Sequence, residues 1–136
     1  MFLRPATPAD LDAIGCIQAA SPEASHWNPA DYLEHDCIVA IDDEGAVAGF
    51  LVSRDLAGER EILNVAVEER FRRQKIAGAL VRFELTRIAQ AWFLEVRESN
   101  IAARTLYAHN GFEEVGRRPG YYENPPDSAI VMRFLS

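Results

Sequence analysis

The sequence predicts one α/β domain spanning residues 1–136, built on a mixed sheet, and three observations carry that prediction. The chain has 136 residues, 49% hydrophobic and 26% charged, which is the profile of a single globular core. Apolar, β-branched runs alternate along it with stretches of helical period. Read in order they give a strand, two helices, three strands, a helix, a strand, a helix and two strands, a succession that belongs to an α/β domain of about seven strands and about four helices.

Each element has a local reason. Residues 2–5 form a short strand, and Thr7-Pro8-Ala9-Asp10 opens a helix with a hydroxyl cap, Pro at the first helical position and an acid in the first turn. Ser21-Pro22 breaks that helix, and Asn28-Pro29-Ala30-Asp31 repeats the start signal for a short helix reaching about His35. Residues 37–41 and 47–52 are apolar strands around Asp42-Asp43-Glu44-Gly45-Ala46, a hairpin with a Gly-containing turn. A polar connection over 54–60 leads to a mostly apolar strand at 61–67, suited to the sheet centre. Residues 76–89 carry apolar side chains at 76, 77, 80, 81, 85 and 88, a helix packed by one broad face. The strand 91–96 follows, then a helix opened by Ser99-Asn100 and ended by His109-Asn110-Gly111, with Gly111 as its left-handed cap and Phe112 folding back. Strands 112–117 and 129–135 close the chain around a Pro-, Gly- and Tyr-rich loop over 118–127.

A domain of this size buries roughly two-thirds of its unfolded surface and folds without a disulfide or structural metal. The longest uncharged run, 13–22, contains Gly and Pro and falls well short of the about 20 apolar residues a membrane span needs. Met1-Phe2-Leu3-Arg4-Pro5 lacks the basic and apolar regions of a signal peptide, and with only Cys16 and Cys37 the expectation is a cytoplasmic protein with two reduced thiols. Lys and Arg number 14 against 21 Asp and Glu, a net charge of −7 that opposes binding to nucleic acid and favours basic partners, or serves solubility alone. His26, His35, His109, Cys16 and Cys37 show no metal-ligand spacing, so no metal is expected.

The stretch Val65-Ala66-Val67-Glu68-Glu69-Arg70-Phe71-Arg72-Arg73-Gln74-Lys75-Ile76-Ala77-Gly78 runs from a strand through a basic turn into a helix with small residues in its first turns. Free N–H groups and the positive end of a helix dipole attract phosphate there, and small side chains let a backbone come close. In the other reading, Gly78 and Ala79 serve close helix-to-strand packing and the arginines are solvated.

Arg72-Arg73-Gln74-Lys75-Ile76-Ala77 resembles the acetyl-CoA motif of the GNAT acetyltransferases, Gln or Arg, two residues, Gly, one residue, then Gly or Ala. The resemblance continues through Leu94-Glu95-Val96-Arg97-Glu98-Ser99-Asn100, Thr105-Leu106-Tyr107, Asn110-Gly111-Phe112, Arg117-Arg118 and Tyr121-Tyr122, blocks similar to the RimI-like branch that acetylates protein N-termini. It implies a single-domain GNAT fold with a mixed, mostly antiparallel sheet. It also implies acetyl-CoA as co-substrate, direct transfer to an amine without a metal, and a peptide N-terminus as acceptor, a ribosomal protein being one candidate. No nucleic-acid or membrane partner is implied, and the chain is expected to be a monomer or weak homodimer. The chain departs from the motif at Lys75, which stands where the family has its first Gly. An ordinary helical conformation there would place the ammonium near a phosphate, and a positive φ would weaken cofactor binding; the helical conformation is the expectation.

By the same resemblance Glu95 is the base, acting directly or through a water, with Leu94 and Val96 expected to desolvate it in part. A solvent-facing place on an alternating strand is the alternative for Glu95. Tyr107 matches the acid that protonates the CoA sulfur; a phenol with a pKa of about 10 keeps its proton at neutral pH, and the ring can pack helix against sheet as well. Val65, Ala66 and Val67 would line the pantetheine arm, residues 73–78 with Arg72 would cradle the pyrophosphate, and Asn100 would touch the cofactor while capping its helix. Trp27, Tyr121, Tyr122 and the Arg117-Arg118 corner fall on the acceptor side. A small-molecule amine such as a polyamine or aminoglycoside is the alternative acceptor, and a non-catalytic acyl-CoA-binding module the alternative function. A narrow slot favours a peptide and a deep acidic pocket favours a polycation.

Overall fold

A computed structural model describes residues 1–21, 27–72 and 75–136. The strands are β1 (Phe2–Pro5), β2 (Asp36–Ile41), β3 (Val47–Leu56), β4 (Glu59–Val67), β5 (Ala91–Arg97), β6 (Glu113–Tyr122) and β7 (Asp127–Leu135). The helices are α1 (Leu11–Ala19), α2 (Ile76–Glu84) and α3 (Ile101–His109), with 3-10 segments at Pro8–Asp10, Pro29–Glu34 and Glu69–Phe71. The seven strands lie in the order β1-β2-β3-β4-β5-β7-β6. Every neighbouring pair is antiparallel except β4 and β5. The mixed, mostly antiparallel sheet is the one expected.

Two apolar clusters explain why β2 and β3 read as nearly continuous hydrophobic runs, since a strand covered on both faces needs no polar alternation. On one face Ile38, Ala40, Leu51, Leu80, Val81, Trp92, Leu94, Tyr107 and Phe112 pack together under α2 and α3. On the other, Ile14, Ile17 and Tyr32 cover Val39, Phe50 and Val52. None of the helices among the described residues is long and apolar enough to cross a membrane.

Several boundaries differ from the sequence reading. The segment after Asn28 is a 3-10 helix, closed by the i to i+3 bond from His35 N to Tyr32 O at 3.2 Å. The polar stretch 54–60 is a hairpin: pairing continues to Leu56 and Glu59, and Ala57 and Gly58 turn the chain at φ 53° and 89°. Both left-handed residues match the twist of a two-residue turn, but Ala57 hides it because Asn or Asp is the usual signal. Helix α2 stops at Glu84, where Thr86 bonds back to Phe83 O through both N (3.0 Å) and Oγ1 (2.6 Å), a competing local turn. Most of 118–127 is strand as well, since β6 reaches Tyr122 with register breaks around Gly116 and between Arg118 and Tyr122. Gly111 takes φ 94° and Phe112 N donates to Tyr107 O at 3.0 Å, the cap the sequence predicted.

Candidate active site

The parallel seam between β4 and β5 is the feature on which the site is built. Only Arg60 with Trp92 and Glu61 with Phe93 are in register across it. Beyond those pairs the strands diverge, so Ile62–Val65 of β4 and Leu94–Arg97 of β5 face each other without a ladder. On its far side β4 stays bound to β3, with one extra residue, Leu63, between the pairs Val52–Asn64 and Ser53–Ile62. Such a bulge bends and twists its strand, here at the level where the seam opens. Backbone donors and acceptors left along a gap are available to an extended ligand.

The gap widens into a cleft of about 400 Å³ lined by Trp27, Ile62–Val65, Leu94–Arg97, Asn100, Ala103, Tyr107, Tyr122 and Asn124. Both residues proposed for proton transfer, Glu95 and Tyr107, are therefore in one cavity, with Val65, Asn100, Trp27 and Tyr122 from the predicted set around them.

Glu95 projects from β5 with its side chain 18% exposed. Its Oε2 is buried and accepts no hydrogen bond among the described residues, although Arg118 Nε lies 3.5 Å away. A buried carboxylate oxygen without a hydrogen bond is one that an added donor would stabilise. Tyr107, 7% exposed, projects from α3, and its ring lies 5.7 Å from that of Phe112. Burial pushes its hydroxyl above the ordinary phenol range, and the nearby Tyr122 adds to the effect, so it holds its proton at neutral pH. Packing and proton holding coexist in this residue.

Asn100 caps α3, its Oδ1 accepting from Ala103 N at 3.1 Å, while also lining the cleft. Arg97 lies over the Tyr122 ring at 4.3 Å and donates to Pro125 O at 2.8 Å. Tyr121 is half exposed and stacks edge-on against Tyr122, with ring centroids 5.0 Å apart, so it supports the wall without lining it. Desolvation and the charge of Glu95 raise the Tyr122 hydroxyl from its usual value.

Ala66 and Val67 continue β4 toward the start of α2, where Gly49 permits close approach. A methyl on Gly49 would sit 3.0 Å from Ala66 O and 3.4 Å from Ile76 Cγ2. The first turn of α2 holds Ile76, Ala77 and Gly78, with no acidic residue and no side-chain cap. Its free N–H groups form the positive end of the helix. Lys75, the residue just before it, is left-handed at φ 64°, not helical as expected, and its carbonyl accepts from Ala79 N at 3.1 Å. Arg72 turns back toward α1, with Nε 3.3 Å from Val67 O and Nη2 3.2 Å from Ser21 Oγ. Arg73 and Gln74 lie outside the described residues.

A group that sequence reasoning missed sits behind Trp27. Asn64 Nδ2 donates to Gln18 Oε1 (3.2 Å) and to the Tyr32 hydroxyl (3.1 Å), Tyr32 donates to Gln18, and Gln18 Nε2 donates to Trp27 O at 2.6 Å. Asn64 thereby ties the bulged strand to the segment carrying Trp27. The available signal was one Asn inside the otherwise apolar run 62–67, which must have buried partners.

Residues 34–114 match the acetyltransferase (GNAT) domain family, and this chain belongs to it. It is 33% identical over 99 residues to the ribosomal protein bS18-alanine N-acetyltransferase of Escherichia coli strain K12. That match covers 68% of this chain and 66% of the relative, just under two-thirds of its length. The crystal structure of the Escherichia coli ribosomal-protein-S18-alanine N-acetyltransferase superposes with a TM-score of 0.84 at 25% identity, covering 98% of this chain and 92% of that one. Ard1 from Thermoplasma volcanium gives a TM-score of 0.86 at 27% identity over 98% and 96% of the two chains.

Proposed function

We propose that this chain transfers the acetyl group of acetyl-CoA to the N-terminal α-amine of a protein, with Glu95 as base and Tyr107 as acid. The observation that carries the reading is the diverging β4–β5 seam, which opens into a cleft lined by both side chains. The pantetheine arm lies along Val65–Val67, whose backbone pairs with its amides and supplies an N–H to the oxyanion. The pyrophosphate rests at the uncapped start of α2, over residues 75–78.

An α-amine has a pKa of about 8 and arrives mostly protonated at neutral pH. Glu95 takes the proton directly or through a water, and the freed nitrogen attacks the thioester carbonyl. The C–N bond forms, the C–S bond breaks, and Tyr107 gives its proton to the departing sulfur. The second proton shed by the nitrogen restores the phenol, and Glu95 releases the first to solvent. No covalent enzyme intermediate is required.

The charge of the cleft favours a single ammonium as acceptor. Among the described lining residues Glu95 is the one carboxylate, and Arg97 adds a positive charge. A polyamine or aminoglycoside would bring several cations to that lining. The Escherichia coli relative is named for acetylating an alanine of ribosomal protein bS18, and we extend that reaction class to this chain, with a ribosomal protein as a candidate acceptor. The free thiols of Cys16 and Cys37 suit the reducing cytoplasm in which we place it.

Release of free CoA, measured with peptides of varied N-termini beside spermidine and an aminoglycoside, tests the reading. Turnover should be confined to peptides and fall about 10²-fold in kcat for both Glu95→Gln and Tyr107→Phe with CoA binding retained. Turnover that survives both substitutions removes these assignments, and CoA binding without turnover on any amine favours a binding module.

A further inference from the structure

The contact between Arg118 and Glu95 differs from the other Arg–carboxylate pairs on the same side of the molecule. Arg117 grips Glu98 with two hydrogen bonds, Nε at 2.8 Å and Nη2 at 3.1 Å. Arg104 likewise reaches Glu114 with Nε at 3.0 Å and Nη2 at 2.7 Å. Arg118 instead stands off: Nε is 3.5 Å from Glu95 Oε2, and that oxygen accepts no hydrogen bond although it is buried. The Arg118 side chain is 58% exposed and leans toward Tyr121, 5.5 Å from its ring centroid.

The stand-off falls where the strand pairing changes. Arg118 pairs with Ala129, and the next register pair is Tyr122 with Asp127, so Arg118 is the last regular position before β6 breaks step. From that position the guanidinium stands 3.5 Å from the carboxylate, with its planar fork beside the Tyr121 ring. A primary ammonium is smaller, carries three rotatable donors and approaches from the open side of the cleft. A half-exposed ion pair without a hydrogen bond opposes its exchange only weakly.

We propose that Arg118 holds the place of the acceptor's ammonium at Glu95 and is displaced when the acceptor binds, which makes it a residue that sets acceptor affinity. The proposal rests on the acetyl-acceptor reading above, and it assigns Arg118 no part in proton transfer. It implies that the acceptor enters as a cation, exchanges one positive charge for another at Glu95, and only then loses its proton.

Two measurements test it. In Arg118→Gln the KM for the peptide substrate should fall about two- to fivefold, while the KM for acetyl-CoA stays at the wild-type value; Arg118→Lys, whose ammonium competes for the same carboxylate, should show no such fall. In ¹⁵N spectra of arginine side chains, the Nε–H signal of Arg118 should move in Glu95→Gln, and move the same way when unacetylated peptide is added to the wild-type protein with CoA. A peptide KM in Arg118→Gln equal to or above wild type, or an Arg118 signal unmoved by saturating peptide, overturns the displacement while leaving the acetyltransferase reading intact. A wild-type protein that turns over no peptide overturns both.

Discussion

Arg60 and Trp92, register partners across the one parallel seam of the sheet, donate to the same carboxylate oxygen: Glu84 Oε2 lies 2.8 Å from Arg60 Nε and 3.0 Å from Trp92 Nε1. The other oxygen accepts from Ser53 Oγ at 2.5 Å and Arg87 Nε at 3.1 Å. Glu84 is 0% exposed, on the inward face of α2. It therefore clips β3, β4 and β5 together at the closed end of the seam whose other end forms the cleft.

Breaking that clip should be among the more damaging single changes available. Removing one partner of a buried ion pair costs about 3–5 kcal/mol, and because Arg60 keeps Asp36 as a second carboxylate partner, Glu84→Ala should lower stability by about 3 kcal/mol, the lower end of that range. Trp92→Phe, which deletes one neutral donor and keeps most of the ring, should cost about 1–2 kcal/mol. Urea denaturation checks both, and a Glu84→Ala loss below about 1 kcal/mol would show the clip to be energetically idle.

Lys75 makes a second prediction, because its left-handed backbone is strained for any residue with a Cβ. The αL conformation costs about 1–2 kcal/mol, partly offset by the greater chain entropy glycine loses on folding. Lys75→Gly should thus stabilise the protein by about 1 kcal/mol, seen as a higher urea midpoint at unchanged slope, whereas Lys75→Ala should give no such gain. Equal effects of Gly and Ala would place the change in the side chain rather than the backbone.

The succession of strands and helices, the α3 cap at Gly111 and the grouping of Glu95 with Tyr107 were legible because each leaves a local mark: hydrophobic periodicity, a Gly after a helix, or a motif block. Glu84 and Asn64 were not, because a polar residue reveals its role only through partners distant in sequence, such as Arg60, Trp92, Gln18 and Tyr32. The divergence of β4 from β5 was implied by the family resemblance alone, since unpaired backbone groups have no residue type. The Ala57-Gly58 turn and the left-handed Lys75 escaped for the opposite reason: each places an ordinary residue where glycine or asparagine is the usual sign.

Asp10 couples the first strand to the first helical turn and gives the fold an acid-sensitive element. Arg4 grips it with Nη1 at 2.8 Å and Nη2 at 2.9 Å, and Thr7 N donates to Oδ2 at 2.7 Å. These bonds, the guanidinium foremost, hold the carboxyl at about 2, below the roughly 3.9 of an unfolded Asp. Because the folded value is the lower one, the unfolded state binds a proton first as pH falls. The contribution is complete above about pH 4 and disappears as pH drops toward about 2. Asp10→Asn should therefore be less stable than wild type at neutral pH, and its stability should decline less between pH 4 and 2, so that the two curves converge. Denaturation midpoints across that range check it, and parallel curves would mean that the Arg4 contact does not persist in solution.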